Sequence, residues 1–129
     1  MSENFNLEVI SPTGIIFSSE VKQVVIPAYE GLMTILKDHI SIISFLKPGI
    51  IKIFSKSGEE HYYVEDGIVE FKNNNLSVLT SSIFNIKDVD KDKISELLKQ
   101  AEEHSTNSEI TDQDKYLVDQ KIDVLKTLN

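Results

Sequence analysis

Near Ile86 the hydrophobic period of this chain changes, and that change limits the fold to two kinds of structure in a fixed order. Upstream, Phe5, Leu7 and Val9 alternate with polar neighbours, as in a half-buried strand, and the pattern stops at Ser11-Pro12-Thr13-Gly14. Apolar runs at 15–17, 21–27, 32–36, 40–46, 50–54, 61–64, 68–71 and 76–79 read as further strands. Turn residues (Ser57-Gly58, Asp66-Gly67, Asn73-Asn74-Asn75) separate several of them. Many short strands at regular spacing predict a β-sandwich or flattened antiparallel barrel. From Asp88 onward there is no glycine, no proline and little alternation. Ile94, Leu97, Leu98 and Ala101 fall on one helical face, with Asp88 or Asp90 as the cap. Residues 104–108 interrupt the pattern. Thr111-Asp112-Gln113-Asp114 then offers a capped restart, and Leu117, Val118, Ile122, Leu125 and Leu128 stripe a second helix. The expected organisation is a β-sandwich over 1–86 followed by a C-terminal two-helix hairpin over 87–129.

Composition excludes several classes of function. At 129 residues the chain fits one domain with an appendage, and such a chain buries roughly two-thirds of its unfolded surface without needing staples. It has no cysteine, so disulfides, thiolate chemistry and Cys-ligated metals are out. All thirteen basic residues are lysines, which removes guanidinium clamps on phosphate. The net charge of −8 opposes nucleic acid or anionic membrane as a direct partner. Eleven acids against six lysines from Asp88 onward place −5 of that charge in the tail. Met1-Ser2-Glu3-Asn4 has no basic or apolar character of a secretory signal. No apolar run approaches the roughly 20 residues that span a bilayer, so no lipid insertion is expected.

No catalytic constellation emerges. His39, His61 and His104 match no local metal motif, and surface or strand-edge roles are expected for them. Pairs such as Glu59-Glu60, Glu65-Asp66 and Glu102-Glu103 are ordinary in an acidic chain, and no Gly-rich phosphate loop is present. The expectation is no catalytic residues, no metal and no cofactor. What remains is interaction surface, chiefly an exposed turn at Tyr29-Glu30-Gly31-Leu32 and the apolar faces of the two tail helices.

Residues 27–49, PAYEGLMTILKDHISIISFLKPG, string together the Tyr29-Glu30-Gly31 turn, a strand, His39 and a Leu46-Lys47-Pro48-Gly49 turn. Before them stand Leu7-Glu8-Val9-Ile10-Ser11-Pro12 and Ile16-Phe17-Ser18; after them come Asp66-Gly67-Ile68-Val69-Glu70 and Val78-Leu79-Thr80. This order resembles the F-type ATP synthase epsilon subunit family, called delta in mitochondria. The resemblance implies a β-sandwich with a helical hairpin, no active site, and a place in the central stalk coupling the gamma shaft to the membrane c-ring. It implies a peripheral position at the cytoplasmic face of the bacterial inner membrane, and a monomer when isolated. Glu30, Gly31 and Leu32, with Tyr29 beside them, would face the c-ring; the sandwich around His39 would lie near gamma. The hairpin is the part that would reach the alpha and beta subunits.

Several positions depart from the family pattern. Its His-Ala-Pro is His39-Ile40-Ser41 here, which loses a proline-fixed turn. Where some bacterial members carry an ATP-binding I/L-D-x-x-R-A, this chain has Val89-Asp90-Lys91-Asp92-Lys93-Ile94, leaving Asp90 and Lys93 as a remnant without the planar fork of arginine. The acids of the second helix oppose docking on acidic catalytic subunits, so weak or absent inhibition is expected. The alternative reading is a free-standing β-sandwich adaptor or ligand-binding module.

Overall fold

The computed structural model describes residues 3–128; Met1 and Ser2, which belong to the stretch read for a secretory signal, lie outside the described residues. Ten strands come first: β1 (Phe5–Ser11), β2 (Gly14–Val21), β3 (Gln23–Ala28), β4 (Gly31–Leu36), β5 (Ile42–Leu46), β6 (Gly49–Ser55), β7 (Gly58–Val64), β8 (Gly67–Lys72), β9 (Asn75–Leu79) and β10 (Ile83–Asn85). A short 3-10 turn, Ile86–Asp88, leads into α1 (Lys91–Ser105) and α2 (Asp112–Leu128).

The strands form one curled sheet in the order β10-β7-β6-β3-β5-β8-β9-β1-β2, with β4 on the far side of β3. Strand β3 is the fold line. Its first residues, Gln23 to Val25, pair with β6, whereas its last, Ala28, meets Leu46 of β5. The two partners diverge from one strand and carry the sheet into two layers. Gly49 makes the corner possible: a Cβ there would stand 2.5 Å from the Pro27 Cβ. Phe5, Leu7, Val9, Val69, Phe71, Leu76 and Val78 from one layer share a core with Val24, Ile26, Ile51, Ile53, Tyr62 and Val64 from the other. Strands β1 and β9 pair in parallel and close the second layer across about 70 residues of chain.

Registry places the turns at 12–13, 29–30, 47–48 and 65–66 at one end of the sandwich, and those at 37–41, 56–57 and 73–74 at the other. The expected strand at 40–46 begins later, at Ile42. Asp38 takes φ 66° and His39 N–H donates to the Leu36 carbonyl, so a turn occupies 37–40 without proline. Strand β10 lies outside the expected set. Its three residues are too few to alternate, and β7 holds them.

The helices start as their sequence predicts. Asp90 caps α1, its carboxylate accepting from Lys93 N–H at 2.9 Å, and Thr111 Oγ1 accepts from Asp114 N–H at 3.1 Å. Ile94, Ala101, Val118 and Leu125 are buried together with Tyr63, flanked by Ile50, Phe84, Leu97, Leu98 and Ile122. The hairpin therefore has a second apolar core on the outer face of β6, β7 and β10. Among the described residues no helix is long and apolar enough to cross a membrane.

Candidate partner-binding surfaces

Each layer of the sandwich carries a row of large apolar side chains on its outer face. On one layer, cross-strand neighbours Ile50, Tyr63 and Phe84 form a row that the hairpin covers. The Tyr63 and Phe84 rings pack with centroids 4.9 Å apart, and Tyr63 is only 1% exposed. Burial, with the Glu65 carboxylate nearby, pushes its phenol well above the usual tyrosine range. On the other layer, Phe45 pairs with Ile68, Ile68 with Leu79, and Leu79 with Ile10. Among the described residues nothing covers that row: Phe45, Ile68 and Leu79 are about half exposed, and Ile43, two residues along β5 from Phe45, is 69% exposed.

The uncovered row floors a groove of about 570 Å³ that also takes in Pro12, Tyr29, Asp66 and Ser81. Asp66 is held at its rim by Ser81, whose hydroxyl donates at 2.9 Å and whose N–H donates at 3.4 Å. Tyr29 joins the groove because its N–H donates to the Phe45 carbonyl, tying the 29–30 turn to β5. A contiguous exposed apolar strip rimmed by fixed polar groups is a surface shaped for a protein partner.

The expected contact residues separate into two places. Tyr29, Glu30, Gly31 and Leu32 form a protruding turn beside the groove, with Leu32 78% exposed. Gly31 has φ 129°, and Glu30 is held by a 3.1 Å hydrogen bond from the inward-facing Ser44 hydroxyl. His39 sits at the opposite end of β4, roughly 20 Å away at the usual strand rise. Its ring meets Phe71 edge-on at 5.9 Å, and Nδ1 lies 2.8 Å from the Ile40 carbonyl, which fixes a proton on Nδ1. His39 lies in the β4–β5 connection, His61 on β7 bonds Glu59, and His104 lies on α1, so the three histidines stand in separate parts of the chain. Asp90 spends its carboxylate on the helix cap, and the backbone of Lys93 is the donor to it.

Sequence reasoning did not single out Phe45, Ile68 and Leu79. The signal lay in β5: Ile42-Ile43-Ser44-Phe45-Leu46 is apolar on both faces, although a two-layer sandwich buries only one.

Residues 4–86 match the family described as ATP synthase, Delta/Epsilon chain, beta-sandwich domain. The ATP synthase epsilon chain of Pelagibacter ubique is 79% identical over the full length of both chains. That of Mesorhizobium japonicum is 32% identical over 99% of this chain and 95% of its own. A chain in the cryo-EM structure of Euglena gracilis mitochondrial ATP synthase (OSCP/F1/c-ring) shares the fold. Its TM-score is 0.78 at 18% identity, covering 99% of this chain and 81% of that one. A chain of the Tetrahymena thermophila mitochondrial ATP synthase central stalk and c-ring gives 0.70 at 16%, covering 95% and 93%. A β-sandwich with a docked helical hairpin, matched along its whole length by epsilon chains, belongs to the ATP synthase delta/epsilon family, whose epsilon chains are non-catalytic stalk subunits.

Proposed function

We propose that this chain is the rotor subunit that couples the gamma shaft to the c-ring, and that it uses two surfaces to do so. The Ile10–Leu79–Ile68–Phe45 row receives gamma, and the Tyr29–Leu32 turn at the end of the sandwich meets the polar loops of the c-ring. The observation that carries this reading is the pair of outer apolar rows, one covered by the chain's own hairpin and the other left open. A sheet cross-linked through two cores is stiff enough to transmit torque between partners bound to its face and its end. The reading places the protein at the cytoplasmic face of the membrane as a peripheral part of the complex, monomeric when isolated. It treats residues 1–86 as the docking domain and 87–129 as an appended hairpin with at most a weak contact to the alpha and beta subunits. Neither ATP nor another cofactor enters it.

Co-expression with gamma from the same organism, followed by size exclusion with light scattering, tests the assignment. A one-to-one complex is expected. Phe45→Glu or Ile68→Glu should weaken it at least about tenfold, since each puts a charge in the centre of the strip. Leu32→Asp should leave gamma binding intact and weaken retention on the c-ring. Absence of a complex with well-folded gamma would overturn the proposal.

A further inference from the structure

Lysine–carboxylate pairs form at Lys115–Asp119 and Lys121–Glu65, His61 contacts Glu59, and of these three the Lys121–Glu65 pair joins the hairpin to the sandwich. Lys121 Nζ on α2 lies 2.9 Å from Glu65 Oε1 at the end of β7, the two side chains being 24% and 28% exposed. The same oxygen accepts the Tyr63 hydroxyl at 3.4 Å. Tyr63 is the buried centre of the row beneath the hairpin, so one carboxylate oxygen gathers a cation from above and a hydroxyl from the floor. The carrier is itself tethered: Glu65 N–H donates to the Ser82 carbonyl at 3.3 Å. The other two pairs lie within β7 and within α2 and hold nothing across the interface.

The setting gives this pair leverage. Hairpin and sandwich both carry net negative charge, so their background interaction is repulsive. The apolar contact is small: Ile94, Ala101, Val118 and Leu125 are buried against Tyr63, while Leu97, Leu98, Ile110, Ile122 and Leu128 are only partly buried. A two-helix element held this way belongs to the low-stability end of local opening. A half-shielded, hydrogen-bonded pair at its margin is then large enough to move the equilibrium.

We infer that the Lys121–Glu65 pair, backed by Tyr63, is an electrostatic catch that sets the fraction of time the hairpin lies on the sandwich and makes that fraction depend on ionic strength. Release of the catch uncovers Ile50, Tyr63 and Phe84, a second apolar row facing away from the open one.

Hydrogen exchange by mass spectrometry on the full chain tests the catch, reading amides in the middle of α2 against sandwich strands as internal control. Lys121→Gln and Glu65→Gln should each speed α2 exchange about three- to tenfold. The double variant should be no faster than either single one, and the exchange of charges, E65K/K121E, should restore protection. Raising salt from about 0.05 to 0.5 M screens the pair and the background repulsion alike, so the gap in α2 exchange between the parent chain and Lys121→Gln should narrow. Single variants within about twofold of the parent would overturn the inference, as would additive effects without rescue by the charge exchange. If Lys121→Gln also loosens the sandwich, E65K/K121E decides: recovered protection supports the catch, and none overturns it.

Discussion

Gly67 shows how much structure can rest on a missing side chain. A Cβ at this position would stand 2.6 Å from the Leu79 carbonyl oxygen and 3.0 Å from Leu46 Cδ1, where β8 passes between β5 and β9. Its φ of 155° adds a conformation that L-residues seldom adopt. Gly58, in the β6–β7 turn, has φ 127° but nothing within 4 Å. The two positions separate backbone strain from collision. Gly58→Ala should cost about 1–3 kcal/mol, the usual range for a residue held in a sparsely populated region. Gly67→Ala should cost more than about 3 kcal/mol, because a neighbouring backbone has to move as well. Urea unfolding of both variants measures the difference. Sequence alone places both glycines in turns, but the atoms that crowd Gly67 come from β5 and β9. No local pattern marks that proximity.

Strands were legible where their neighbours are local, and obscure where they are not. The Phe5-Leu7-Val9 alternation and the helix caps at Asp90 and Thr111 come straight from side-chain period and hydrogen-bonding capacity. The parallel pairing of β1 with β9 and the short β10 depend on chain brought in from far away, so nothing near them in sequence announces them. For the same reason the Tyr29–Leu32 turn was readable as a surface, whereas the Phe45–Ile68–Leu79 row, assembled from three strands, was not.

The hairpin has its own cross-element link in Asp119. Its carboxylate accepts from Ser105 Oγ at 2.9 Å and from Lys115 Nζ at 3.3 Å, joining the end of α1 to α2. The Ser105 hydrogen bond, followed by that of Lys115, holds its carboxyl below the ordinary aspartate range. The folded value lies below the unfolded one, near 3.8, so the contribution is whole above that pH and disappears as pH falls through the folded value. At neutral pH, Asp119→Asn should lower exchange protection across the hairpin. The parent and the variant should converge as acid is added, while groups common to both cancel from the comparison. A constant gap down to the acid limit would show that Asp119 acts through packing and not through charge.

With both outer faces considered together, the hairpin buries one apolar row and the other stays exposed. The hairpin lies on the β6–β7–β10 face, and the open row lies on the opposite layer, so losing the hairpin should not directly disturb the gamma docking proposed for that row. The hairpin is expected to make a poor brake. Its apolar stripe is occupied by Ile50, Tyr63 and Phe84, and the −5 charge from Asp88 onward repels acidic surfaces. Removing residues 88–129 from the assembled enzyme should therefore change ATP hydrolysis by less than about twofold. The cost should appear in the isolated subunit instead. Uncovering Tyr63 and Phe84 exposes an apolar sheet face, which should lower the thermal midpoint and promote self-association. Hydrolysis assays of the enzyme with and without the hairpin, run beside light scattering of the free subunit, separate the two effects. A several-fold rise in hydrolysis on deletion would mean that the hairpin leaves the sandwich inside the enzyme and restrains rotation despite its charge.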